Sequence, residues 1–290
     1  PQIGFLQESL RWFDRWLKDA DNGVDDDPAM RLWLMDEAKP ASHMVERPGR
    51  WLGFPDWPSP AVSYRPLYLR DAGLADSKPT GSGAVRTIRS PLTTGLQAQE
   101  WCPYGQGRIA AEGARDQRSD DGGSLCYDTA PYPADIALMG QVRLTLRIAA
   151  DRPQAMVAAR LNSVAPDGSS AFVTYAILNL SHRESHEFPK PLTPGRFETV
   201  TLTMKPIGQI IPKGHRLRLA ISSSYWPLAW PSPELTILTV DPTGSVLDLP
   251  LLTDARILRQ VHFEPAVKAE PGSMTVKAPP RQLRSLETDI

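Results

Sequence analysis

The chain reads as mainly β, a two-sheet antiparallel sandwich of the jelly-roll kind behind one short N-terminal helix. Three observations predict this. Several segments alternate apolar and polar residues with a period of two, as half-buried strands must, because successive side chains point to opposite faces. The 290 residues include 29 prolines, about twice the usual share; proline is excluded from helix interiors and central strands, so they mark turns, edges and long connections. After the first helix no second long amphipathic segment follows, which argues against alternating β and α elements and a parallel sheet.

The one helical pattern comes first. Between Ile3 and Lys18 the residues Phe5, Leu6, Leu10, Trp12, Phe13, Trp16 and Leu17 recur at helical spacing against Gln7, Glu8, Arg11, Arg15 and Lys18, giving a helix with a heavy aromatic face. Asn22 and Gly23 are expected to stop it. Asp25, Asp26 and Asp27 then lead to Pro28 as a solvated linker, so a boundary is expected at 27/28. Residues 1–27 read as the residual end of something preceding the linker, 28–265 as the sandwich, and 266–290, with Pro271, Gly272, Pro279 and Pro280, as an extended arm or loose tail.

Within the sandwich, Val142, Leu144, Leu146 and Ile148 alternate with Arg143, Thr145 and Arg147. Val200, Leu202 and Met204 alternate with Thr199, Thr201 and Thr203, and Leu217, Leu219 and Ile221 with Arg216, Arg218 and Ser222. Each is a strand. Pro166, Asp167 and Gly168 separate Met156–Val164 from Phe172–Leu180, supplying a preset φ, a side-chain acceptor and a positive-φ residue for a hairpin turn. Further strands are expected at Met30–Met35, Val62–Leu69, Ser124–Tyr127, Leu235–Val240 and Ile257–Phe263. There is no fixed-period repeat.

Composition excludes several classes of function. The chain is 41% hydrophobic and 22% charged with a net charge of −1, which fits neither disorder nor a basic nucleic-acid surface. No apolar run approaches the ~18 residues of a membrane span. The chain reads as soluble, with the cytoplasm favoured and the native N-terminus expected to be absent, since it opens on Pro1 rather than methionine. Cys102 and Cys126 are the only cysteines, enough for one bond and too few for a disulfide framework or a four-cysteine zinc site.

The chemistry-bearing patterns are fragmentary. There is no G-x-S-x-G pentad to hold a serine nucleophile on a tight strand-to-helix turn, so no catalytic residue is assigned. His182 and His186 have the i, i+4 spacing of a helical zinc pair, but Arg183 follows the first where a zincin needs glutamate, and Pro189 and Pro191 oppose a helix. His215 at a strand entrance reads as a turn cap. Asp116, Asp120, Asp121 and Asp128, interleaved with Arg115 and Arg118, do not match an EF-hand and read as a solvated loop with ion pairs. Neither a metal nor another cofactor is expected. The aromatic stretch Ser222–Pro233 places Tyr225, Trp226 and Trp230 among prolines, and Trp101 and Tyr104 lie beside Pro103 and Gly105. These five residues are the cleft candidates, since flat rings bind flat apolar faces at low entropic cost, against an alternative role in core and loop packing.

Four segments together resemble one family. Ser124–Pro131 (SLCYDTAP), Asn179–Glu187 (NLSHRESHE), Lys213–Leu219 (KGHRLRL) and Ser222–Glu234 (SSSYWPLAWPSPE) are similar to the C-terminal, non-catalytic domain of X-Pro dipeptidyl-peptidase and cocaine-esterase-like α/β-hydrolases. Residues 3–18, with Asp21–Gly23 and Pro28, resemble the end of the family's hydrolase domain and its crossover. The resemblance implies a galactose-binding-like jelly roll that walls the cleft of a serine hydrolase whose serine, aspartate and histidine would lie before Pro1. The implied partner is that N-terminal hydrolase domain, with no nucleic acid and no membrane. Phe5, Trp12, Phe13 and Trp16 would bury against it. Without it they are expected to dock on the sandwich or on a second copy of the chain, each ring being worth about 1.5–3 kcal/mol when buried. The competing expectation is a stand-alone carbohydrate- or peptide-binding module.

Overall fold

The computed structural model describes residues 3–42, 44, 46–71, 73–81, 83–97 and 114–267. All but the first two residues of the expected arm at 266–290 therefore lie outside the described residues, as do Trp101, Tyr104 and Cys102. The chain divides into two compact units, 27–262 and a second formed by 2–26 with 263–290.

The second unit contains helix α1 (Phe5–Lys18). It ends four residues before the expected stop at Asn22. Asp19 itself takes the left-handed conformation at φ 55°, and the Ala20 amide donates back to the Asp14 carbonyl at 3.1 Å, closing the last turn as a glycine would. Its aromatic face stands exposed in the single chain. None of its residues is buried, and Phe5, Leu6, Leu10, Trp12, Phe13, Trp16 and Leu17 are all 54–76% exposed.

The first unit is the expected sandwich. Its strands among the described residues are β1 (Met30–Met35), β2 (Gly49–Phe54), β3 (Val62–Arg70), β4 (Gly73–Ala75), β5 (Arg86–Ile88), β6 (Leu125–Asp128), β7 (Ile136–Gly140), β8 (Arg143–Ala150), β9 (Met156–Val164), β10 (Ser170–Asn179), β11 (Glu198–Thr203), β12 (Ile207–Ile211), β13 (Arg216–Ser222), β14 (Leu238–Leu252) and β15 (Arg259–Gln260). The larger sheet runs β11-β8-β14-β7-β12-β1-β2-β15, with β3, β4 and β5 attached through β14 and β3. The smaller runs β10-β9-β13-β6. All pairs are antiparallel except β1 with β12, joined at Met35 and Gln209.

The three alternating segments became β8, β11 and β13, and their inward residues fill the space between the sheets. Leu144, Leu146, Ile148, Val200, Leu202, Leu217, Leu219 and Ile221 join Val157 and Leu161 of β9 in one core. The hairpin forms as expected, with Gly168 at φ +85° and β9 paired to β10 from Val164–Ser170 to Met156–Asn179. Two expected strands are displaced. Leu235–Val240 is only the start of β14, whose 15 residues continue past Pro242 and Gly244 through an irregularity between Asp241 and Val246; the break in alternation hid it. Ile257–Phe263 shrinks to the two exposed residues of β15, because Ala255–Ile257 forms a 3₁₀ turn capped by Asp254.

Strand β9 has a different environment from the rest, being buried along its whole length. Its inward face meets the core. Its outward face, carrying Met156, Ala158, Arg160 and Asn162, is covered by helix α2 (Arg118–Asp121) and the segment after β13.

Leu219 is fully buried in the main core, whereas Leu10 is 59% exposed. Replacing Leu219 by alanine should cost about 2–5 kcal/mol in urea unfolding, while Leu10→Ala should stay within about 0.5 kcal/mol.

Candidate functional site

The outward face of the smaller sheet holds a buried, multiply bonded polar cluster. Arg160 is fully buried. Its Nη1 donates to Gln117 Oε1 at 2.9 Å and its Nη2 to Ser124 Oγ at 2.8 Å, with Asp121 Oδ1 3.4 Å from Nη2 and Asp120 Oδ2 3.9 Å from Nη1. Asp121 also accepts from Asn162 Nδ2 at 2.9 Å, Ser170 Oγ at 2.9 Å and Arg218 Nη1 at 3.1 Å. Arg218 grips Asp128 with two bonds of 2.7 Å, which hold the guanidinium charged well above its ordinary range.

Asp120 and Asp121 are therefore not the solvated loop that their spacing suggests; they are 4% and 6% exposed. Burial pushes the Asp121 carboxyl up, against the pull of Arg160, Ser170 and Arg218. A buried charge persists only when paired and hydrogen-bonded, and this cluster meets that condition by drawing a short helix onto the sheet. Asp116, by contrast, is partly exposed and held low through its bonds with Arg118 and Ser170.

Over this base lies the aromatic segment. Reciprocal bonds of 3.0 Å, Ser90 N to Ser223 Oγ and Ser223 N to Ser90 Oγ, fasten its start to the strand-like stretch before Pro91. The Trp226 amide donates to the Thr94 carbonyl at 2.9 Å. Gly95 makes that approach feasible: at φ +113° a Cβ there would lie 2.5 Å from the Trp226 carbonyl oxygen.

The cleft candidates separate on this scaffold. Tyr225 is fully buried, its ring 5.6 Å from that of Tyr175 and packed with Met156 and Ala158. It is a core residue and offers a ligand no surface, because the loop turns its ring inward over β9. Trp226 is half-buried, with its ring 5.1 Å from that of Trp230. Trp230 is 80% exposed. It borders a cavity of about 310 Å³ lined by Gln154, Met156, Ile177, Asn179 and Ser181, combining one aromatic plate, apolar floor and amide and hydroxyl groups.

The other sequence candidates carry no chemistry of this kind. His182 closes a 3₁₀ turn capped by Asn179, and its ring lies 5.5 Å from that of His186. Among the described residues no three His, Cys, Asp or Glu side chains converge as metal ligands. Burial beside Asp121 pushes the Cys126 thiol up to about 11, leaving it protonated at neutral pH and a poor nucleophile.

A second constellation escaped the sequence reading. His215 Nδ1 lies 3.0 Å from Ser163 Oγ, and the Ser163 hydroxyl also acts on the carboxyl of Glu37. Glu37 accepts from Gln209 Nε2 at 3.1 Å. Burial, the largest influence, pushes Glu37 up to about 7, against the lowering effect of Arg47 and both hydrogen-bond donors. The three groups come from the connection after β1, from β9 and from the entrance to β13. Serine, not histidine, stands in the middle, and Ser163 is fully buried, so this is not the nucleophile–base–acid order of a serine hydrolase.

Comparisons with known proteins bear on the family and the fold. Residues 22–267 match the model of the "X-Pro dipeptidyl-peptidase C-terminal non-catalytic domain". A cocaine esterase from a Rhodococcus species is 27% identical over 228 residues, covering 74% of this chain and 37% of that protein. Among solved structures, an aminopeptidase from a marine-sediment Thaumarchaeota archaeon superposes with a TM-score of 0.66 at 19% identity over 84% of this chain and 43% of its own. A CocE/NonD family hydrolase from Staphylococcus aureus gives 0.62 at 17% identity over 85% and 45%. The chain spans about two fifths of the length of the curated relatives it matches.

Asp121→Ala would leave Arg160 buried without its main counter-ion. It should cost about 3–5 kcal/mol in chemical denaturation, whereas Asp116→Ala, at the partly exposed pair with Arg118, should cost under about 1 kcal/mol.

Proposed function

Because the chain belongs to the family of X-Pro dipeptidyl-peptidase C-terminal non-catalytic domains, we propose that it serves as the supporting sandwich of a serine hydrolase, of dipeptidyl-peptidase or acyl-ester type, and helps to shape that enzyme's substrate cleft. The family match across 22–267 carries this reading. Two features support it. No nucleophile elbow is present in these 290 residues, and among the described residues Ser163, which lies beside His215, is fully buried while the Cys126 thiol has a raised pKa.

In such an enzyme a histidine would deprotonate the serine, the alkoxide would attack the carbonyl, and backbone amides would hold the oxyanion. All of these belong to the catalytic domain. The sandwich would contribute rigid surface. The aromatic face of α1 and the plate of Trp230 are among the exposed apolar features that could meet a partner domain.

The purified chain should show no turnover of a p-nitrophenyl ester or an X-Pro p-nitroanilide; clear, stoichiometric turnover would overturn the reading. The cavity beside Trp230 favours one competing reading, a stand-alone module that binds saccharides or peptides through Trp226 and Trp230. Titration with a saccharide panel separates the two. A supporting domain predicts unchanged tryptophan fluorescence, and a binding module predicts a saturable shift that Trp230→Ala abolishes.

A further inference from the structure

Asn22 and Gly23 form the only Asn-Gly pair in the chain, between α1 and the 3₁₀ turn Val24–Asp26. Asn22 fastens that turn to the helix. Its Nδ2 donates to the Arg11 carbonyl at 2.7 Å, while the Val24 amide donates to its Oδ1 at 3.4 Å. We propose that Asn22 is a self-modification site, at which the Gly23 backbone nitrogen closes a succinimide on the Asn22 side chain, and that conversion to aspartate and isoaspartate releases the turn from α1.

The chain has three asparagines, and the structure separates them. Ring closure needs a backbone nitrogen that can lose its proton, room for that nitrogen to reach Cγ, and water to open the ring afterwards. Gly23 is exposed, and its N–H makes no hydrogen bond among the described residues. It has no side chain to bar the approach, and nothing lies within 4 Å of where a Cβ would stand. The bond from Val24 folds the Asn22 amide back over the Gly23 peptide, which sets Cγ beside the nitrogen that attacks it. Asn179 fails these conditions, because the nitrogen that follows it, on Leu180, donates to the Ala155 carbonyl at 2.8 Å and carries a buried, branched side chain. Asn162 fails them too. It is fully buried in β9, away from water, with its Nδ2 bonded to Asp121 at 2.9 Å.

Base removes the Gly23 amide proton, the nitrogen bonds to Asn22 Cγ, and the Cγ–Nδ2 bond breaks, releasing ammonia and leaving a five-membered imide. Water then opens the ring. Breaking the new N–Cγ bond gives aspartate, and breaking the original peptide bond gives isoaspartate, whose main chain runs through Cγ. One water is consumed, one ammonia leaves, and nothing is oxidised or reduced. In the aspartate form an oxygen replaces Nδ2, so an acceptor faces the Arg11 carbonyl where a donor stood; in the isoaspartate form that side chain has become main chain. The bond to Arg11 is lost in both. The new negative charge joins Asp21, Asp25 and Asp26 in the same turn, while Arg15 is engaged by Asp25 at 2.7 Å and Asp19 at 3.7 Å, and Arg11 by Glu8 at 3.2 Å. Those carboxylates also oppose removal of the Gly23 proton, so the reaction quickens as pH rises.

The test incubates the full chain at pH 7 and pH 8.5 in water enriched in 18O, samples it over days, and digests each sample briefly with trypsin in ordinary water. Peptide 19–31 should gain about 3 Da, an NH₂ group exchanged for 18OH, and split into two chromatographic forms, faster at pH 8.5. Peptide 161–183 carries both other asparagines and should show that gain more slowly by about tenfold or greater. Asn22→Gln, whose extra methylene disfavours ring closure, should stay unchanged. Asn22→Asp supplies the aspartate product directly, and its amides from Arg11 to Arg15 should exchange with deuterium about threefold faster or more than those of the unmodified chain. No such gain in peptide 19–31, or a rate no greater than that of 161–183, overturns the site. Conversion to aspartate alone, without isoaspartate, overturns the succinimide route, and unchanged exchange in Asn22→Asp overturns the consequence for α1.

Discussion

A single buried guanidinium organises the outer side of the smaller sheet. Arg160 sits on the face of β9 that points away from the main core, where an uncovered arginine would simply be solvated. Here it is fully buried, and the cost of taking its charge out of water is met only because Asp121, Gln117 and Ser124 close around it. That demand recruits α2, which is too short to persist by itself, and gives the Trp226–Trp230 segment a fixed bed. The aromatic loop is a consequence of the ion cluster beneath it. The core between the sheets, by contrast, is ordinary apolar packing.

Legibility in the sequence followed locality. β8, β11 and β13 were readable because each has one wet and one dry face, and the β9–β10 turn because proline, aspartate and glycine state its geometry within three residues. β9 gave a weaker signal, since it is buried on both faces and alternation has nothing to report. β14 was truncated because Pro242 and Gly244 interrupt its pattern while its pairing with β8 resumes at Val246. The aspartates were misread for a related reason: composition identifies charges but not their depth, which depends on Arg160 arriving from a strand 39 residues beyond Asp121. Glu37, Ser163 and His215 share no local motif at all. Only the sandwich brings the first connection, β9 and the start of β13 to one place.

Family membership and the exposed surface both bear on the proposed supporting role. The sandwich buries its own core without assistance, so it is a folded body in its own right. Yet α1 turns a face of two tryptophans, two phenylalanines and three leucines outward, more apolar surface than one helix of a monomer ordinarily leaves wet. Trp230 adds a separate apolar point on the other unit. The supporting role proposed above accounts for both features, a packed interior and an exposed apolar helix face.

Strand β14 has one more implication, for the order in which the molecule is made. It pairs with β3, β5, β7 and β8, so strands separated by most of the sandwich meet along a single late segment. During synthesis the larger sheet must wait, with β3 and β8 lacking their common neighbour until residue 252 has left the ribosome. Such non-local closure is slow and leaves open strand edges in the interim. The smaller sheet has no such delay, because its last strand ends at Ser222, and it can assemble first as the template on which the larger one closes.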